Sequence, residues 1–232
     1  MNVALLITHG HIDHLLGLPF FAPLYEPETH VEFFAPLLAG RTVEQLVTSL
    51  MSPPYFPVDM QKLPSQRVFH TLTGAELIAW RTDSSVPMLL PGQRSRNLTD
   101  SVCVTTYLSN SHPLNGSAVY RIEYAGKKLV FSTDVEWSKG CEPAFLSFIE
   151  GADILIHDAQ YTTEDYRSSK HGFGHSSIGM AAEVATMAHV RKLVLFHHEP
   201  TYDDAKLDAL LAEARTHFDQ TYSAYEGMEI DL

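Results

Sequence analysis

The segment His9-Gly10-His11-Ile12-Asp13-His14 puts four metal-ligating side chains into one short stretch near the start of the chain. Residues 3–8 before it are aliphatic and β-branched, the composition of a buried strand. Side chains two apart on an extended segment point the same way, so His9 and His11 can face one ion. Asp13 and His14, a step further round the turn, can face a second ion nearby. Packing explains such density at the end of a buried strand poorly, although a surface histidine cluster is the plain alternative. Imidazole and carboxylate donors suit zinc, and manganese or iron also accept this set.

Histidine stands out over the whole chain, with 13 copies against 16 lysines plus arginines. The 28 acidic residues leave a formal net charge of −12, which repels a polyanion over the general surface. Extended nucleic acid is therefore not the expected partner. Of the 232 residues 45% are hydrophobic and 19% charged, a globular composition without linker or repeat, so 1–232 reads as one domain. No apolar run approaches the ~20 residues of a membrane span. Residues 1–7 lack the basic start and cleavage site of a secretory leader, and two cysteines make no disulfide framework. A reducing cytoplasm is the expected location, with homo-oligomerisation left open.

Further strands are expected at 31–34, 68–72, 76–81, 102–108, 118–124, 128–133, 154–156 and 192–196. Ala125-Gly126-Lys127 supplies a hairpin turn. Helices are expected at 41–50, 142–149, 176–189 and 203–218, and 91–100 reads as a polar surface loop. Strands early and alternation late suit a layered α/β domain.

Three more candidate ligands follow short apolar runs: His112 in Ser111-His112-Pro113, Asp134 in Ser132-Thr133-Asp134, and His197 in Phe196-His197-His198. Headed by H-x-H-x-D-H, this series resembles the metallo-β-lactamase superfamily across residues 9–197. The resemblance implies an αββα sandwich. It also implies one metal held by His9, His11 and His112, a second by Asp13, His14 and His197, and Asp134 bridging the two. His198 is the alternative to His197, since one step at a strand end reverses the side a ring faces. Members usually place two or more strands before the H-x-H-x-D-H strand; eight residues precede His9 here, so the usual first strands are expected to be absent.

Asp158 in the run 153–159 and His175 in Gly174-His175-Ser176-Ser177 resemble two loops of ribonuclease Z-like phosphodiesterases. That resemblance implies that Asp158 orients His175, and that His175 meets the scissile phosphate or protonates the leaving oxygen. The family carries Glu where Asp158 stands, a methylene longer. The plainer roles are a turn residue for Asp158 and a neighbour of a helix cap for His175. The span between Asp134 and Asp158 holds no glycine- and basic-rich arm of the kind that grips tRNA.

The expected activity is hydrolysis of a small cyclic or nucleotide phosphodiester by hydroxide activated at two divalent metals, with Asp13, Asp158 and His175 assisting. Two alternatives are a lactone, thioester or β-lactam hydrolase with the same metals, and a non-catalytic metal-binding remnant. Tyr55, Phe56 and Tyr161 are candidates to line a pocket, and Arg94 and Arg96 to meet phosphate. His30, His70, His171, His189 and His217 have no partner spacing and read as surface or packing residues; His157 is expected to face away from Asp158.

Overall fold

The computed structural model describes all residues except 85, 93–97, 99 and 115. Arg94 and Arg96 therefore lie outside the described residues. Strands β1 (Asn2–Leu6), β2 (His30–Pro36) and β3 (Gln66–Leu72) form a parallel three-stranded sheet in that order. Eight strands form the second sheet: β4 (Glu76–Arg81), β5 (Met88–Pro91), β6 (Ser101–Ser109), β7 (Ser117–Tyr124), β8 (Lys127–Ser132), β9 (Ile154–Asp158), β10 (Lys192–Phe196) and β11 (Thr221–Ser223). Their order is β11-β10-β9-β8-β7-β6-β4-β5. The helices are α1 (Val43–Leu50), α2 (Pro143–Ile149), α3 (Thr163–Asp165, continued by a π turn at Tyr166–Lys170), α4 (Ile178–Met187) and α5 (Asp204–His217). None is long and apolar enough to cross a membrane.

Alternation along the strands makes the layers. Val31, Phe33 and Ala35 of β2 point outward onto Val43 and Val47 of α1. Phe34, one step out of phase, points inward and joins Leu72, Ile78, Val104, Ala118 and Tyr120 between the sheets. On the far side Val119, Val130, Leu155, Leu193 and Leu195 meet Phe145 of α2, Ala181 and Ala185 of α4, and Leu210 of α5. The result is helix, sheet, sheet, helix, the sandwich expected.

Two strands escape sequence reading. Met88–Pro91 is only four residues long and ends in proline, and Thr221–Ser223 is three residues at a sheet edge. The β7–β8 hairpin is tighter than read: Tyr124 pairs with Lys127, leaving Ala125 and Gly126 at φ 49° and 77°, the two left-handed residues of a type I′ turn.

Topology gathers the chemistry at one edge. Strand β7 runs antiparallel to both β6 and β8, and β8, β9 and β10 are parallel. So β6, β8, β9 and β10 end on the same side, followed or closed by His112, Asp134, Asp158 and His197. The loop after β1 is tied to that edge: Thr8 O accepts from Ala118 N at 2.8 Å, and Ile7 O from the Tyr120 hydroxyl at 2.7 Å.

Candidate metal centre

Asp134 stands in the middle, 1% exposed, with its two oxygens facing different histidines. Its Oδ2 lies 3.3 Å from His9 Nε2 and 3.7 Å from His112 Nε2. Its Oδ1 lies 3.2 Å from His14 Nε2 and 3.6 Å from His197 Nε2. His11 Nδ1 is 2.9 Å from His112 Nε2, and Asp13 Oδ2 is 3.5 Å from His197 Nε2 and 3.4 Å from His14 Nε2. The donor atoms of His9, His11, His112 and Asp134 thus converge, as do those of Asp13, His14 and His197. The structure brings the seven residues singled out as candidate ligands to one place, and a third, overlapping set of converging atoms joins Asp134 and His197 to Asp158 and His175.

Neighbouring groups aim the rings. Thr8 Oγ1 sits 3.1 Å from His9 Nδ1, leaving Nε2 to the cluster. His112 Nδ1 donates to Gly174 O at 2.9 Å, which likewise frees Nε2. His198 turns away and bonds Ser223 Oγ at 3.0 Å, so His197 is the member of that pair in the cluster. Asp134 and His197 both occupy left-handed backbone, at φ 54° and 61°, where non-glycine residues are strained.

These residues fit divalent metal. His9 Nε2 and His14 Nε2 are buried without a hydrogen-bond partner, and a buried polar atom left so is costly. The Nε2-to-carboxylate distances of 3.2–3.7 Å around Asp134 exceed the ~2.7–2.9 Å of a well-made charged hydrogen bond. The atoms instead surround common points. Burial holds the His112 imidazole down to about 4, so at neutral pH it is in the uncharged, ligating form. Burial alone would raise Asp134, but the imidazoles of His14, His9 and His197 crowded around it hold it well below the usual carboxylate range.

Asp158, fully buried at the end of β9, receives His175 Nδ1 at 2.8 Å on Oδ2. Its oxygens also accept Gln160 N at 3.1 Å, Ser176 N at 3.2 Å and Val135 N at 3.3 Å. The shorter carboxylate therefore reaches the histidine. Burial pushes the His175 imidazole down, but the Asp158 bond and the charges of Asp158, Asp134 and Asp13 outweigh it and leave the ring above its ordinary value. His175 stacks on His197 with ring centres 4.8 Å apart, and Tyr161 meets its edge at 6.1 Å. Of the candidate pocket aromatics only Tyr161 stands there; Tyr55 is exposed and Phe56 packs on Phe20.

One residue of this edge is missed by sequence reading. Glu136, buried two positions after Asp134, accepts the Tyr166 hydroxyl at 2.6 Å, Gly172 N at 2.7 Å and Gly174 N at 2.8 Å. It pins the loop that carries His175 and that, through Gly174 O, aims His112. No local motif signals it.

The remaining histidines divide. His157 is buried, accepts the Trp137 indole N–H at 3.0 Å and stays out of the cluster. His30 and His70 are not partnerless: both hold the buried Glu32, at 3.2 and 2.7 Å. Register explains the difference, because Phe34 pairs with His70 and places it on the same sheet face as Glu32 and His30.

Fold and site together define a metallo-β-lactamase-type sandwich with a histidine–aspartate cluster at its strand ends, an architecture that implies divalent-metal binding. The chain belongs to the β-lactamase superfamily: the family described as "Beta-lactamase superfamily domain" matches residues 3–198. It is 27% identical to a Ribonuclease Z of Thermoplasma acidophilum, over 97% of this chain and 78% of that protein. A Ribonuclease Z of Trichodesmium erythraeum is 32% identical over 61% of this chain, a match spanning 43% of the relative's length. Among solved structures, the metallo-β-lactamase fold protein YhfI of Bacillus subtilis superposes with a TM-score of 0.63 at 19% identity, covering 97% of this chain and 76% of its own.

Proposed function

We propose that the protein is a metal-dependent hydrolase of phosphodiester bonds. The observation that carries this reading is the Asp158–His175 pair, held at 2.8 Å beside Asp134 and His197. His9, His11 and His112 would hold one divalent ion and Asp13, His14 and His197 a second, with Asp134 shared; zinc suits this donor set best. Bound there, the metals supply Lewis acidity and activation of water at neutral pH.

The chain's own groups do the rest. His175 gives Nδ1–H to Asp158, which fixes the tautomer and leaves Nε2 to exchange a proton with substrate. In the protonated ring Nε2–H can be delivered to the leaving oxygen, and the buried Asp158 carboxylate stabilises the cation meanwhile. Asp13, more than half exposed at the rim, is the carboxylate of the cluster best placed to meet solvent water.

The net charge of −12 favours a small phosphodiester over an extended strand. The relatives' name, Ribonuclease Z, brings RNA forward as well, so the comparisons lend no support to setting RNA aside. The test is a side-by-side assay of metal-loaded protein on bis-p-nitrophenyl phosphate, a cyclic nucleotide, a short RNA and nitrocefin. Turnover of the phosphodiesters and its loss with chelator are expected. Turnover of nitrocefin alone would move the protein to the acyl-hydrolase alternative.

A further inference from the structure

Beside the cluster lies a cavity of about 450 Å³, walled by His9 and His11 on one side and by Leu38, Ala39, Arg41, Leu46, Pro113 and Leu114 on the others. Its lining is apolar apart from the histidines and one cation. Arg41 is exposed, and among the described residues its guanidinium has no hydrogen bond or ion pair. Arg41 is thus the one cationic residue in the lining of a cavity shared with candidate metal ligands, in a chain of net charge −12.

Its backbone is anchored on both sides. Leu38 and Arg41 exchange two main-chain hydrogen bonds, of 2.8 and 3.0 Å, around Ala39 and Gly40 at φ 53° and 73°. Two successive left-handed residues close a tight turn of fixed geometry. Immediately after Arg41, Thr42 and Gln45 form a reciprocal cap on α1, with Gln45 N to Thr42 Oγ1 at 3.3 Å and Thr42 N to Gln45 Oε1 at 3.0 Å. The chain thus holds the Arg41 backbone in place, while among the described residues its planar fork has no partner. A guanidinium so presented matches the geometry of a phosphate.

We propose that Arg41 forms an anion subsite beside the histidine cluster and takes a second phosphate of the substrate while the apolar walls take its base or sugar. This deepens the phosphodiesterase reading and rests on it: the substrate class becomes a nucleotide or short strand with a further phosphate next to the scissile diester. An isolated cyclic phosphate leaves the subsite empty.

The experiment compares the dinucleotide ApA with its 5′-phosphorylated form pApA. Metal-loaded wild-type protein is expected to use pApA with a kcat/KM about tenfold higher, carried by KM. In Arg41→Ala that ratio falls close to one, and Arg41→Lys, which keeps charge but not the fork, retains part of it. Equilibrium binding of the two dinucleotides to wild type and Arg41→Ala gives the same comparison without turnover. Equal affinity of the wild type for ApA and pApA, or a preference that survives Arg41→Ala, overturns the subsite. Failure to cleave bis-p-nitrophenyl phosphate would instead sink the phosphodiesterase reading, so the two failures are distinct.

Discussion

Glu136 accepts the main-chain N–H of Gly174 at 2.8 Å, and through that bond the residue next but one to Asp134 governs where His112 and His175 stand. Its other oxygen takes Gly172 N and the Tyr166 hydroxyl, so all three donors converge on one buried carboxylate. In Glu136→Gln, one oxygen becomes an amide N–H facing a donor. The expected cost is about 1–3 kcal/mol of stability, read as a lower melting temperature. Turnover should fall by about one to two orders of magnitude, through kcat more than KM, as expected of a group that positions a proton donor. An unchanged kcat would remove Glu136 from this role.

Asp134→Ala and His14→Ala should lose bound metal and turnover together, because each removes a group around which the others converge. His175→Ala should keep its metal, since it stands beside the cluster, while turnover drops by about 10²–10⁴-fold. Metal analysis paired with rate measurement separates the two classes. Chelation of the wild-type protein should lower its melting temperature, and added zinc should restore it, by linkage to the folded state.

The pH dependence has a definite sign. Asp158 and its neighbours hold the His175 proton to higher pH than an ordinary imidazole would, despite burial. If His175 delivers a proton to the leaving oxygen, kcat is full below its pKa and falls as pH rises through it. Asp158→Asn removes the largest raising influence, so the falling limb should move to lower pH. A pH–kcat profile of the two proteins checks this; a limb that stays in place or moves upward contradicts the role.

Gly174→Ala should be worse than its size suggests. Gly174 sits at φ +90°, and an added Cβ would lie 2.1 Å from Pro113 Cδ and 2.4 Å from His112 Nδ1. Strain and displacement both act, and His112 must move. A loss of metal affinity together with about 2 kcal/mol or more of stability is expected, measured by metal titration and thermal melting.

Strand ends were legible in the sequence. His9, His11, His112, Asp134 and His197 each come after a short apolar run, and β4 and β10 match the expected strands at both termini. Remote determinants were not legible. The partners of Glu136 lie 30 to 38 residues away, and two of the three are main-chain amides without a side-chain signature. The Glu32 clasp on His30 and His70 needed the β2–β3 register, which spacing along one strand does not reveal. His197 was preferred to His198 by its place in the family motif, strand parity saying only that the two rings face opposite sides, and the left-handed backbone at His197 was not visible in the sequence.

That turn has an evolutionary side. Asp134 and His197 hold backbone shapes that glycine or asparagine adopts more readily, at positions 54° and 61° in φ. Random drift toward a sturdier ion-free protein would therefore be drawn to those two positions first, silencing the centre while toughening the scaffold. A thermostability screen run without metal should recover survivors that carry changes there and have lost metal binding.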